Sequence, residues 1–76
     1  MTYRALDTVV VTRDLPALGL KAGDIGAVVQ VYAQSALEVE FVTAMGATQA
    51  VVTLSADCVR PVGRKDLLAV RQVDAA

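Results

Sequence analysis

Few residues in this chain could act chemically on a substrate, and they are scattered. Histidine is absent and Cys58 is the single cysteine. The commonest general base is therefore missing, and a zinc site of the usual cysteine and histidine ligands lacks donors. Cys58 follows the acidic Asp57, where a nucleophilic cysteine needs a cationic neighbour. We read it as a small, partly buried structural residue. Glu38 and Glu40 stand two apart, on one face of a strand. Paired carboxylates can share acid–base work when a cleft brings a substrate to them. Their alternation with Leu37, Val39 and Phe41 reads instead as a solvated outer face. We expect no catalytic residue, no cofactor, no metal and no enzyme.

Gly19, Gly23 and Gly26 raise the question of a phosphate cradle. The spacing fits neither a P-loop nor a dinucleotide fingerprint. An apolar β-branched run follows, where a helix N-terminus would be required. The stretch Gly19 to Val31 therefore reads as a bend that launches a strand, with Asp24 holding the turn through nearby backbone N–H groups.

The elements around that bend are short and apolar. Leu6 to Thr12 is a β-branched strand whose unbroken valines imply burial on both faces or pairing along both edges. Arg13 to Asp24 is a long loop in which Pro16 argues against a strand. Leu15, Leu18 and Leu20 pin it to the body. Ile25 to Tyr32 is the second strand, with Ala27, Val29 and Val31 on one face and Val28, Gln30 and Tyr32 on the other. Ala33 to Ala36 is a turn. Leu37 to Thr43 is the third strand, with Leu37, Val39 and Phe41 inward. Ala44 to Ala47, around Gly46, is a hairpin turn. Thr48 to Leu54 returns with Ala50, Val52 and Leu54 inward. Ser55 to Cys58 suits a 3₁₀ turn, and Val59 to Val62 is a closing strand whose Pro61 belongs at an edge. The tail Leu67 to Val73 is apolar again and is read as a strand, with a short helix as the alternative. Asp74 to Ala76 should fray. The expected fold is all-β, a small five-stranded SH3-like barrel over residues 1–62 with a C-terminal extension over 63–76.

The residues Leu6-Asp7, Val9-Val10, Asp14-Leu15-Pro16, Gly19-Leu20, Gly23-Asp24, Gly26, Val28-Val29, Tyr32, Glu38 to Phe41, Leu54 and Val59 to Val62 resemble a family of small bacterial proteins. That family is known as a domain of unknown function. The resemblance implies an SH3-like barrel over roughly Ala5 to Val62 and a setting beside mobile-element or toxin-like genes. The piece Gly23 to Val28 also resembles the KOW motif of ribosomal and transcription-factor SH3-like domains, whose basic loops contact RNA. Here Asp24, Glu38 and Glu40 are acidic.

Composition narrows the partners. A chain of 76 residues is one domain, and a lone cysteine offers no internal disulfide. Seven basic and eight acidic residues give a net charge of −1, with no general pull toward nucleic acid or anionic lipid. Arg60, Arg64, Lys65 and Arg71 bias the C-terminal part positive without an aromatic platform for bases. No apolar run approaches a membrane span of about 20 residues, and Met1 to Asp7 has no signal-peptide core. We expect a cytoplasmic, bacterial, non-catalytic protein-interaction module that self-associates through its edge strand or tail. Its expected role is the partner-binding or neutralising member of a two-gene module. The alternative is an RNA- or DNA-binding KOW-type accessory domain. The expected interface is Val28, Tyr32, Val42 and Val51 on the faces opposite the core, then Leu67, Leu68 and Val70 of the tail.

Overall fold

The computed structural model describes residues 2–73. The expected fraying of Asp74 to Ala76 lies outside the described residues. The fold is all-β, as expected: β1 (Thr8–Val11), β2 (Ile25–Ala33), β3 (Ala36–Val42), β4 (Thr48–Ser55) and β5 (Val59–Pro61). They form one antiparallel sheet in the order β4-β3-β2-β1-β5. No described helix is long and apolar enough to cross a membrane.

β1 bonds to β2 on one side and β5 on the other, which is why its valines run unbroken. Val9 and Val11 are fully buried, and Val10 is half-buried. The sheet curls so that all five strands send side chains into one core: Val9, Val11, Val28, Leu37, Val39, Phe41, Leu54 and Val59. β3 shows the expected alternation, with Leu37, Val39 and Phe41 inside. Ala50 and Val52 of β4 pack against that core while remaining half-exposed.

Gly26 and Gly46 are glycines for different reasons. At Gly26 strand β3 presses close, and a Cβ there would meet Val39 Cγ1 at 2.6 Å and the Glu40 carbonyl oxygen at 2.9 Å. Only a residue without a side chain fits such an approach. At Gly46, in the hairpin between β3 and β4, φ is 86°, the left-handed region that a tight turn demands.

The second strand corrects its expected facing. Val28 opposes Val39, but the next aligned pair is Gln30 with Glu38, so the strand slips by one residue. That bulge reverses the alternation. Val28 is fully buried and Val29 is exposed, the opposite of the expected arrangement. Val28 is therefore a core residue, not part of an interface. The first strand is also shorter than expected, because Leu6 sits in a turn with φ 77°.

The long loop is ordered. A 3₁₀ turn spans Pro16–Leu18, and Leu15 and Leu20 pair across it as an isolated bridge. Leu20 is buried and Leu15 packs on the core, while Leu18 is exposed. The second 3₁₀ turn, Ala56–Cys58, is capped by Ser55, whose hydroxyl accepts from Asp57 N. Tyr3, in the lead-in, joins the core and is tied there by Gln34, which accepts from Tyr3 N at 2.7 Å and donates to its carbonyl at 3.3 Å.

Candidate interaction surface

The tail after β5 is neither strand nor helix from Gly63 to Val73. It is irregular chain held at two points, and each pin is an arginine–carboxylate pair. At the first, Gly63 to Asp66 forms a tight turn: Asp66 N donates to the Gly63 carbonyl at 3.1 Å, and Gly63 N donates to Asp66 Oδ2 at 2.6 Å. Arg60, on β5, then grips that carboxylate, Nη1 to Oδ2 at 2.8 Å and Nη2 to Oδ1 at 3.0 Å. Such fork-to-fork contacts fix orientation as well as distance. They hold the Asp66 carboxyl well below its ordinary value, at about 2, with the Gly63 N–H adding to the arginine's effect.

At the second pin, Arg71 Nε donates to Asp24 Oδ1 and Nη2 to Oδ2, both at 2.7 Å. Nη2 also reaches the Gly19 carbonyl at 3.1 Å. The Arg71 hydrogen bonds, helped by the Lys21 N–H, lower the Asp24 carboxyl below the usual range against the opposing effect of burial. Asp24 holds its own turn as well, accepting from Lys21 N at 2.9 Å, as the sequence implied.

Between the pins the strap displays its apolar side chains. Leu67 and Val70 are each 96% exposed and Leu68 is 68% exposed. Arg64 and Lys65, just before them, are exposed as well. Further along, the strap walls a groove of about 600 Å³ whose apolar lining includes Leu20, Ile25, Phe41, Val42, Val70 and Val73.

The expected interface is thus brought together only in part. Leu67, Leu68 and Val70 form one run. Tyr32, Val42 and Val51 are exposed. Glu38 and Glu40 lie on the outer face of β3 between Tyr32 and Val42. Both glutamates hold neighbours: Tyr32 Oη donates to Glu38 Oε2 at 2.9 Å, and Thr48 Oγ1 donates to Glu40 Oε2 at 2.8 Å. That bond to Glu38 raises the Tyr32 hydroxyl above its ordinary value. Cys58 is a free, half-buried thiol, and the Asp57 carbonyl accepts from Arg13 Nη2 at 3.0 Å.

The pins are what the sequence concealed. Asp24 read as a turn former and Arg71 as part of a basic bias, and 47 positions separate them. No local spacing joins residues so far apart. Arg60 and Asp66 are only six apart, and the Gly63-x-x-Asp66 turn between them was a usable signal.

No curated protein and no solved structure matches the chain. A match to the family described as a domain of unknown function, DUF4926, covers residues 5–61. It takes in all five strands, stops where β5 stops and leaves the strap outside, and on that match the chain belongs to this family.

Proposed function

We propose that the chain is a non-catalytic protein-interaction module on an SH3-like scaffold, and that its docking element is the pinned strap over residues 63–73. The observation that carries this reading is the exposure of Leu67, Leu68 and Val70 between two arginine–carboxylate pins. Apolar side chains so exposed gain free energy when a partner covers them, about 1.5–3 kcal/mol for each one fully buried, before the cost of association. Pinning matters because a segment already held in place loses less freedom on binding. The partner's chemistry follows from the strap: an apolar cleft rimmed by carboxylates that face Arg64 and Lys65. The setting is the bacterial cytoplasm, and the partner is the protein encoded next to this one, which the module binds and neutralises.

The test is calorimetric titration of the full chain into that neighbouring protein. A complex weakened at least tenfold by the combined Leu67→Glu, Leu68→Glu and Val70→Glu substitutions supports the reading. Absence of a complex, or equal affinity for the substituted chain, overturns it.

A further inference from the structure

We propose that β4 pairs edge to edge with β4 of a second copy of this chain, antiparallel, with Val52 on the two-fold axis. This goes beyond the strap reading and rests on a different part of the molecule.

The two edges of the sheet are treated differently. β5 is three residues long, carries Pro61, and its Arg60 is gripped by Asp66; short length, proline and charge each blunt an edge. β4 has none of these devices along Thr48 to Ser55, a run without charge or proline. Its one irregularity is at the start, where Phe41 opposes Ala50 and Val42 opposes Thr48, leaving Gln49 as the extra residue. From Ala50 to Ser55 the register with β3 is unbroken. That length of strand presents a regular row of backbone groups to whatever lies beside it.

The core is also open on that side. Inward residues of β3 are buried, whereas Ala50 and Val52, inward on β4, remain half-exposed. A strand continuing the sheet would cover them.

Symmetry then sets the register. A two-fold axis perpendicular to the sheet keeps inner face with inner face, so paired residues must share parity along the strand. Ser55 is committed to capping the 3₁₀ turn, which leaves Ala50 to Leu54 for the seam. The pairing that uses all five sets Val52 against Val52, Ala50 against Leu54, and Val51 against Thr53. On the inner face a small residue meets a large one, and on the outer face two β-branched residues meet. No charge meets a like charge. That self-complementarity is what points to a second copy rather than to a foreign strand.

The seam is short, so the dimer belongs to the weak class, with a dissociation constant on the order of 10–100 µM. Sedimentation of the full chain up to millimolar concentration tests it. The expected result is reversible approach to twice the 7.9 kDa chain mass, weakened at least tenfold by Val51→Lys or Thr53→Lys. Val42→Lys, on the same outer face but on β3, and the strap substitutions should leave it unchanged. As a register check, Val51→Cys combined with Thr53→Cys, in a Cys58→Ser background, should form a disulfide-linked dimer on oxidation. A chain that stays monomeric at millimolar concentration overturns the proposal. So does a dimer indifferent to the β4 lysines, or one abolished by the strap substitutions, or the absence of that cross-link.

Discussion

Arg71 grips Asp24 with two hydrogen bonds of 2.7 Å each, joining the C-terminal strap to the turn that launches β2 across 47 residues of sequence. The two groups do unequal work. Asp24 also accepts from Lys21 N, so its loss removes bonds from both the strap and the turn. Arg71 ties the strap to Asp24 and to the Gly19 carbonyl, and its loss leaves the Lys21 N bond of the turn in place. Asp24→Ala should therefore cost about 1–2 kcal/mol, and Arg71→Ala about half as much. Urea denaturation of the two variants checks the order; equal costs, or the reverse order, would contradict the double role of Asp24.

The same pins should open in acid. Asp24 and Asp66 are both held below the ordinary carboxyl value of 3.8, Asp66 at about 2. A carboxyl depressed in the folded state contributes stability above its unfolded pKa and loses it as pH falls through the folded one. The strap should be fully held at neutral pH and should release progressively between about pH 4 and pH 2. Amide exchange and side-chain NMR of Leu67 to Gln72 across that range should show release at the low end, with β3 still protected. Strap signals unchanged down to pH 2, or a release that begins near pH 6, would argue against the carboxylates as the pins.

Gly26 and Gly46 separate two reasons for glycine. Gly26→Ala should cost about 1–3 kcal/mol, because the new methyl meets a backbone carbonyl that has little room to move. Gly46 has open space around it and needs only its positive φ. Gly46→Ala should cost about 1 kcal/mol, and Gly46→Asn less, since asparagine tolerates that region. Thermal melts of the three variants suffice, and a harmless Gly26→Ala would mean that β3 sits further from β2 than described.

Leu6 is the non-glycine residue with positive φ, 77°, among those described, and it is 84% exposed. A leucine held there costs about 1–2 kcal/mol without burying its side chain in return. Leu6→Gly should raise stability by about 0.5–1 kcal/mol, part of the relief being offset by the greater freedom of the unfolded chain. A lower melting temperature for this variant would show that Leu6 makes a contact worth more than its strain.

Where period-two alternation ran without interruption, the sequence was readable. Leu37, Val39 and Phe41 lie inside, and Leu54 joins them from β4. It failed at Val28 because one slipped residue exchanges the two faces of a strand, and nothing in a run of Ala-Val-Val-Gln-Val marks where the slip falls. Tyr3 escaped notice because its backbone is tied in place by Gln34, 31 residues away, and not by a neighbour in sequence. The strap was legible as an apolar stretch after Gly63, but it is neither the strand nor the helix that stretch suggested. It is held by Asp24 and Arg60 on other elements.

The claim that this chain works through its strap is tested most directly by amide hydrogen exchange on the complex with the neighbouring protein. The account expects slowed exchange concentrated in Gly63 to Val73 on binding, with the outer face around Tyr32 unchanged. Slowed exchange confined to the sheet, with the strap exchanging as freely as in the isolated chain, would contradict it.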